Sequence, residues 1–285
     1  MLKIHFLNVG KGNCTIVEFP SNRLSIIDID NTRIHDDNET LTDPIEYFSS
    51  KFGYSSVFRF ILTHPDMDHM SGLDELASKV SILNFWDTEH KKTIHESEWR
   101  HSPYNRRDWE RYQVFRDSSG NPKCLRLLRG ATADCCWTQD GIRILSPSTQ
   151  MIKLAAQADE DDPEKYHHLS YVLMLTYAGV KVLFGGDASV DAWEDIVEEC
   201  GKQSLKADIF LAPHHGSKNN VNDEVFQAVA PDYVIVSVAR GVDYDYDFYN
   251  RLARRGVLST KYYGNIRVEI NDDGKYLPIY VDRKP

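Results

Sequence analysis

The segment THPDMDHMSG occupies residues 63–72 and directly follows the apolar run VFRFIL. It places four side chains of metal-binding type within six residues, namely His64, Asp66, Asp68 and His69. In an extended stretch at the end of a strand, alternate side chains point the same way. One such turn can therefore offer ligands to two neighbouring ions, through imidazoles that suit zinc and carboxylates that suit zinc, manganese and harder cations. A loop whose His and Asp only cap the next helix would explain one or two of these residues, not four.

The composition of the whole chain is that of a globular protein with a substantial core. Its 285 residues are 41% hydrophobic and 27% charged, and the net charge is −10. This charge argues against a protein that coats nucleic acid generally. The N-terminal residues do not resemble a signal peptide, and no apolar run approaches the length of a membrane span. Five scattered cysteines are typical of reduced thiols in a cytosol. We therefore expect a cytoplasmic protein without membrane contacts.

Periodicity and turn residues predict an α/β fold. The runs KIHFLNV, CTIVEF and LSIIDID are rich in β-branched and aromatic residues and indicate strands. DPIEYFSSKF predicts a helix with Asp43 as N-cap and Pro44 at the first helical position. Further buried strands are predicted at YVLMLTY, VKVLFGG, ADIFLAP and DYVIVSV, with helices at SVDAWEDIVEECG and NDEVFQAVA between them.

The middle of the chain differs in charge. Residues 99–130 contain eight Lys and Arg against three Asp and Glu. One interpretation is a solvated helical insertion with internal salt bridges, and the other is a cap that draws an anionic substrate to the site. Four aromatic residues, Trp99, Tyr104, Trp109 and Tyr112, are interleaved with the arginines. They indicate either a surface on which bases stack or the core of the insertion.

Two further predicted strands end in residues that bind metals. Asp187 follows VKVLFGG, and the pair His214–His215 follows ADIFLAP. Taken alone, Asp187 could be only the N-cap of the next helix. Because sites collect at the carboxyl ends of sheet strands, three strand ends of this kind in one chain predict a shared metal site.

The order H-x-D-x-D-H, then G-D, then H-H-G-S resembles the metallo-β-lactamase superfamily. The chain departs from its usual H-x-H-x-D-H in having Asp66 at the second His. With LNVGKGNCTIVE and PHHGS, this departure is similar to the ComEC-like branch, although Lys11 and Asn13 replace the usual Gln and Asp. The resemblance extends from Leu2 to about Val281. It implies an α/β protein with an αββα metallo-β-lactamase sandwich, formed as a single domain over residues 1–285 with a basic, helical insertion at about 86–135.

The resemblance also implies two divalent metal ions, zinc or manganese, and a ligand set. His64 and Asp66 would bind the first ion together with His168, or with His167 as the alternative. Asp68 and His69 would bind the second ion together with His214, and Asp187 would bridge both. His215 would then face the substrate, although the roles of His214 and His215 could be exchanged. Asp68 and His215 are the catalytic candidates. By ligand hardness, Asp66 in place of an imidazole should favour manganese or magnesium over zinc.

A metal-bridging hydroxide would make such a site a hydrolase. The branch and the basic insertion favour a bacterial phosphodiesterase, specifically a nuclease acting on DNA or RNA. The predicted substrate contacts are Ser217, Lys218, Arg106, Arg107 and Arg111. One alternative is a hydrolase of a small ester, a lactone or a phosphocholine-type substrate. The other is a metal-binding interaction module without catalysis, and the complete set of ligand residues argues against it.

Overall fold

The structure, a computed structural model, describes residues 1–32, 40–53, 55–134, 136–160, 162 and 164–282, with only the backbone of Lys218. The strands are β1 Leu2–Phe6, β2 Thr15–Glu18, β3 Leu24–Ile27, β4 Val57–Ile61, β5 Ile82–Asp87, β6 Lys123–Arg126, β7 Ile142–Ser146, β8 Val172–Tyr177, β9 Val180–Phe184, β10 Ile209–Leu211, β11 Tyr233–Val236, β12 Gly256–Ser259, β13 Ile266–Ile270 and β14 Tyr276–Tyr280. The helices are α1 Pro44–Phe52, α2 Leu73–Lys79, α3 Arg106–Arg116, α4 Thr149–Gln157, α5 Val190–Cys200, α6 Asp223–Val229, α7 Tyr246–Leu252 and α8 Thr260–Tyr263. Among the described residues, no helix has the length and apolar character that crossing a membrane would require.

The strands form two mixed sheets. The first has eight strands in the order β14-β13-β1-β2-β3-β4-β5-β6, and β3 to β6 run parallel to one another. The second has six strands in the order β12-β11-β10-β9-β8-β7, and β9 to β12 are parallel. The carboxyl ends of parallel strands meet at one edge of a sheet, which is where ligand-binding loops collect. The segments after β4, β9 and β10 are therefore well placed to form one site.

The buried hydrophobic side chains form three clusters, one between the sheets and one on the outer face of each sheet. Between the sheets, side chains of the first sheet such as Phe6 and Trp86 share a buried cluster with Phe184 of the second sheet. The outer face of the first sheet is covered by α1, α2 and α3, and that of the second by α4 to α7. The order is thus helix, sheet, sheet, helix, and the predicted αββα arrangement is confirmed. The predicted cap of α1 is also confirmed, because Asp43 accepts hydrogen bonds from two backbone N–H groups of its first turn.

The predicted basic insertion is only partly helical. Its expected start near residue 86 falls inside β5, and the segment also contains the edge strand β6, which pairs in parallel with β5. Its one α-helix is α3 among the described residues. Trp109 and Tyr112 on this helix are buried against the first sheet. These two side chains belong to the core of the insertion, and the base-stacking interpretation does not hold for them.

A buried ion pair connects the two sheets. Arg59 on β4 donates to Asp140 (2.7 Å), which lies just before β7, and each side chain is 1% exposed. Asp140→Ala would leave the buried guanidinium with the Ser25 hydroxyl (3.3 Å) as its remaining hydrogen-bond partner within the described part of the chain. We expect this variant to lose about 3–5 kcal/mol of unfolding free energy, measured by urea denaturation. The half-exposed pair of Lys79 and Glu75 provides the control, since Lys79→Met should cost less than about 1 kcal/mol. A cost for Asp140→Ala as small as that of the control would contradict the prediction.

Candidate metal centre

Four segments bring histidines and aspartates together at the carboxyl ends of the parallel strands. The turn after β4 carries His64, Asp66, Asp68 and His69, and Asp187 follows β9. The 3₁₀ turn before β8 carries His167, and the turn after β10 carries His214 and His215. Hydrogen bonds between backbone groups fix these segments on one another: Tyr171 N–H donates to Thr63 O (2.9 Å) and His214 N–H to Gly186 O (3.1 Å).

The first ligand group consists of His64, Asp66 and His167. The Nε2 atoms of the two imidazoles lie 3.4 Å and 3.6 Å from the same oxygen, Oδ2 of Asp66. Their rings are perpendicular and 5.2 Å apart. One imidazole from each side therefore converges on a single carboxylate oxygen.

The second ligand group consists of Asp68, His69 and His215. His215 Nε2 lies 3.6 Å from Asp68 Oδ2. Asp187 lies between the two groups, with its Oδ2 atom 3.4 Å from His69 Nε2 and 3.9 Å from both His64 Nε2 and His215 Nε2. Among the described residues, Asp187 is thus the carboxylate that faces imidazoles of both groups.

These residues fit divalent ions. Three imidazole nitrogens that face Asp187 are buried and have no hydrogen-bond partner among the described residues: His64 Nε2, His69 Nε2 and His215 Nε2. The other carboxylate oxygen of Asp187, Oδ1, is buried and unpartnered as well. Buried polar atoms are normally paired, so four such atoms in one place need a common partner. Two ligand atoms that each lie about 2.0–2.2 Å from a tetrahedral zinc ion are roughly 3.4 Å apart. The observed separations of 3.4–3.9 Å have this size.

For the first ion, the geometry favours His167, the alternative, over His168. His168 is directed away from the centre, and its Nδ1 lies 2.7 Å from the hydroxyl of Ser189 at the start of α5. His167, the alternative, supplies the imidazole of the first ligand group.

For the second ion, the geometry favours the exchanged roles of His214 and His215 that the resemblance left open. It places His215, not His214, in the second ligand group. Both residues have positive φ angles, of 47° and 53°, and this uncommon conformation turns the two rings in different directions. The ring of His214 lies 4.9 Å from that of His167, and its Nδ1 is 2.8 Å from Asn220 Oδ1. His167, Asp187 and His214 form a further candidate ligand group, so His214 lies beside the first group and is close enough to contribute to it.

Burial and opposite charges shift the acidities in the centre. Burial alone would raise the pKa of Asp187, but the rings of His69 and His64 hold it well below its usual range. Burial would lower the pKa of His69, yet Asp187 and Asp28 raise it well above its usual value. For His64, burial dominates and lowers the pKa. The carboxylates therefore create a field that favours positive charge at the imidazole nitrogens, and this field also favours a metal cation.

Asp28 is a functional candidate that the sequence reasoning missed. Its Oδ2 accepts from His69 Nδ1 (2.8 Å) and from the Thr63 hydroxyl (2.7 Å), and its Oδ1 accepts from the Thr63 backbone N–H (2.8 Å). A carboxylate behind a ligating histidine fixes the tautomer that leaves Nε2 free for the metal. The signal was present in the acidic end of LSIIDID, which terminates a strand in the same manner as the segments that were singled out.

We expect Asp28→Asn to weaken metal binding at the second ligand group by about 10–100-fold, because carboxylates behind ligating histidines have effects of this size. The measurement is a zinc titration of the metal-free protein against a chromophoric chelator. Asp191→Asn, on the exposed first turn of α5, is the matched control. Unchanged affinity in Asp28→Asn would show that the orientation of His69 does not depend on this carboxylate.

The N-terminal GKG turn packs directly on the metal-binding segment. A Cβ on Gly12 would lie 2.2 Å from the carbonyl oxygen of Asp68 and 2.4 Å from Cβ of Asp30, so only glycine fits. The Gly12 backbone N–H donates to Asp30 (3.1 Å), a carboxyl whose pKa is raised by burial to about 6. This close packing brings Lys11 to the rim of the centre.

A cleft of about 280 Å³ opens beside the two ligand groups. It is lined by Lys11, His214, His215, Ser217, Val238, Ala239, Val242, Asp243 and Asp245. Two predicted substrate contacts belong to this region: Ser217 lines the cleft, whereas the side chain of Lys218 lies outside the described residues. The cleft therefore offers imidazole, hydroxyl, ammonium and carboxylate groups to a ligand next to the metal centre.

The three predicted arginine contacts lie on α3 and are engaged to different extents. Arg106 pairs with Glu96 (2.7 Å) and Glu110 (3.0 Å), and Arg111 pairs with Asp74 (2.7 Å). Arg107 is exposed at the first turn of the helix. Pairings of this kind match the interpretation of a solvated insertion with internal salt bridges, and they leave Arg107 as the more accessible cation of the three.

Comparisons with known proteins support the fold. No family model matches the sequence, and no curated protein matches it significantly. Among solved structures, the chain is similar to Igni18, a metallo hydrolase from Ignicoccus hospitalis KIN4/I, with 14% identity, coverage of 98% of this chain and 100% of the other, and a TM-score of 0.50. It is similar to the metallo-beta-lactamase fold protein YhfI from Bacillus subtilis, with 9% identity, coverage of 97% and 99%, and a TM-score of 0.50. It is also similar to Zn²⁺-bound PqqB from Methylobacterium extorquens, with 11% identity, coverage of 96% and 99%, and a TM-score of 0.51.

These similarities concern the fold alone, since all three identities are low. The predicted metallo-β-lactamase sandwich is confirmed. The finer assignment to the ComEC-like branch stays a prediction.

Proposed function

We propose that the protein is a dinuclear metal-dependent hydrolase that acts on phosphodiesters. The observation that supports this is the pair of ligand groups that share Asp187, in which four buried ligand atoms have no hydrogen-bond partner among the described residues. A purely structural cluster would satisfy such atoms internally. An interaction module without catalysis would need no open cleft beside the ligands, whereas here His214 and Lys11 line one.

The residues of the centre divide into those that hold ions and those that face the cleft. Two divalent ions supply Lewis acidity and lower the pKa of a water molecule towards neutrality. Asp187 and the two ligand groups would hold these ions, and Asp68, at the border between the centre and the cleft, would orient the attacking water. His214 and Ser217 would contact the substrate, and Lys11 would stabilise the negative charge that develops on it.

The cation Lys11 favours a phosphodiester over a neutral ester or lactone, and it lies in a cleft that Asp243 and Asp245 also line. Lys11 is exposed and lines the cleft together with His214 and His215, so its side chain can contact an anion there. A phosphodiester keeps a negative charge throughout hydrolysis, so a cation next to the metals assists both binding and reaction. We propose DNA or RNA as the first substrates to test, with contacts in the cleft rather than on the aromatic residues of α3.

A small-molecule hydrolase is the second candidate. The volume of the cleft, about 280 Å³, is close to the lower limit for small-ligand sites. Because Arg106 and Arg111 are already in ion pairs, only part of the positive charge of the insertion is available to a long polyanion. A small phosphodiester, phosphocholine-type substrate, ester or lactone would fit this arrangement.

Cleavage assays distinguish these candidates. Labelled single- and double-stranded DNA and RNA, a chromogenic phosphodiester, and a lactone would be incubated with Mn²⁺, Mg²⁺ or Zn²⁺. The Asp68→Ala, His69→Ala double variant serves as the inactive reference. Metal-dependent cleavage of a phosphodiester that the double variant lacks would support the proposal. Hydrolysis of the lactone alone, or no hydrolysis although two ions are bound per chain, would overturn it.

If a polymer is cleaved, its contacts can be located by salt dependence. Binding that uses phosphate contacts weakens as salt rises. We propose that Lys11→Gln reduces this dependence more than Arg111→Gln, since Arg111 is paired with Asp74. If Arg111→Gln reduces the salt dependence more than Lys11→Gln does, the polymer binds to the insertion instead.

A further inference from the structure

The basic insertion contributes one cation directly to the metal centre, and it is not one of the three arginines. Lys92 Nζ forms an ion pair with Oδ1 of Asp66. The other oxygen of the same carboxylate, Oδ2, faces His64 and His167. Asp66 therefore lies between an ammonium group on one side and the imidazoles of the first ligand group on the other.

We propose that Lys92 sets the affinity of the first metal site by offsetting the charge of Asp66. In the family that the chain resembles, an uncharged imidazole stands where this chain has Asp66. The ion pair of Asp66 and Lys92 also has no net charge. Since Oδ1 is used by Lys92 and Oδ2 is free for an ion, the pair and the metal are compatible. This inference rests on the proposed metal centre.

The position of Lys92 is held by a buried chain of hydrogen bonds. Its backbone N–H donates to His90 Nδ1 (3.0 Å), and His90 Nε2 lies 2.6 Å from the hydroxyl of Tyr112. The Tyr112 hydroxyl in turn donates to the buried carboxylate of Asp87 (3.1 Å). An Nδ1 that accepts from a backbone N–H carries no proton, so the ring donates from Nε2. These hydrogen bonds anchor the backbone of Lys92 to Asp87 on β5 and Tyr112 on α3.

The ammonium group itself is confined by an aromatic ring. Lys92 Nζ lies 4.8 Å from the centroid of the Tyr166 ring, and its side chain is 19% exposed. Tyr166 immediately precedes His167 of the first ligand group. A cation held between a ring and a carboxylate keeps its place, and we infer that Lys92 is a built part of the site rather than a mobile surface lysine.

The sign of the effect follows from electrostatics. A unit positive charge a few ångström from a divalent ion opposes its binding, and at the screening typical of a protein surface the effect exceeds tenfold. Removing this charge should tighten the first site. If Lys92 only supported the loop, its removal would weaken the site instead, so the direction of the change separates the two roles.

The test is a zinc titration of the metal-free full chain against a chromophoric chelator, with two binding steps resolved. Lys92→Met keeps the aliphatic stem over Tyr166 and removes the charge, and we expect it to tighten one step by at least about tenfold. Lys92→Arg keeps the charge and should titrate as the wild type. Lys91→Met, at the neighbouring lysine, which lines a cavity with Glu89, His90 and Tyr166, is the matched control for the loss of one positive charge. Asp66→Asn identifies the step, because it should weaken the one that Lys92→Met tightens.

The outcomes separate this inference from the proposed function. Two bound ions in the wild type, with an unchanged or weaker first step in Lys92→Met, would overturn the role of Lys92 and leave the metal centre in place. No bound ions in the wild type would overturn both. Circular dichroism melting checks that Lys92→Met is folded, and Lys92→Gln, which is neutral and keeps a hydrogen-bonding head group, replaces it if it is not.

Discussion

Asp187→Asn is expected to weaken the binding of both metal ions and to abolish hydrolysis. Asp187 is buried, and its Oδ2 faces His69, His64 and His215, whereas each of the other carboxylates faces one ligand group. An amide has no negative charge, so two ions close together would lose the anion that lies between them. Loss of a side chain that hydrogen-bonds to a metal ligand costs about 10–100-fold in metal affinity or activity. Loss of the shared carboxylate itself should therefore reduce metal affinity by more than about 100-fold.

The measurement combines metal analysis with turnover of whichever phosphodiester proves active. Asn and Asp have nearly the same shape, and the backbone N–H of residue 187 can still donate to the Ser170 hydroxyl (3.0 Å). The variant should therefore fold. Asp191→Asn, four residues along the chain and 57% exposed, controls for the change of charge. Full metal content and full activity in Asp187→Asn would show that neither metal binding nor hydrolysis depends on this carboxylate, and would overturn its role as the shared ligand.

The layered fold could be predicted because it depends on local patterns. The run VFRFIL reads as a buried strand, and Val57–Ile61 is a strand whose neighbours are parallel on both sides. Asp43 and Pro44 likewise specify the start of α1 through their own chemistry. Short-range signals of this kind need no knowledge of the distant chain.

The ligand set could be predicted only as far as segments, not as far as individual residues in adjacent pairs. His167 and His168 are neighbours in one 3₁₀ turn, and successive side chains in such a turn point in different directions. Which of them faces the centre depends on where the turn sits against α5, since Ser189 of that helix binds His168. The directions of the His214 and His215 side chains depend on the positive φ angles of these residues. Nothing in the sequence predicts those angles.

Contacts between distant segments could not be predicted from the sequence, for a different reason. Lys92 meets Asp66 across 26 residues of chain, through a loop whose path is set by the buried Asp87 and Tyr112. The composition of the insertion suggested that arginines serve the site, but charge alone does not tell which cations are already paired. Arg106 and Arg111 find acidic partners nearby, and the lysine that reaches the centre was one of many basic residues.

Alanine replacements of the adjacent His214 and His215 are expected to separate metal binding from catalysis. His215 Nε2 faces Asp68 and Asp187, and its Nδ1 lies 3.2 Å from the Ser237 carbonyl, which orients the ring. His215→Ala should therefore lose the second ion, with affinity reduced by more than about 100-fold, because even partners behind a ligand have effects of up to that size. Its hydrolytic activity should disappear with the ion.

His214→Ala should instead keep both ions and lose about 10²–10³-fold in kcat, as expected when one group that stabilises developing charge is removed. The two variants differ by one position and remove the same side chain, so each is the control for the other. Metal content is measured by elemental analysis after desalting, and activity at saturating substrate. The reverse result, with an ion lost in His214→Ala and retained in His215→Ala, would restore the assignment that the sequence resemblance implied. It would also mean that the turn after β10 rearranges around its ions, since the two rings would have to exchange their directions.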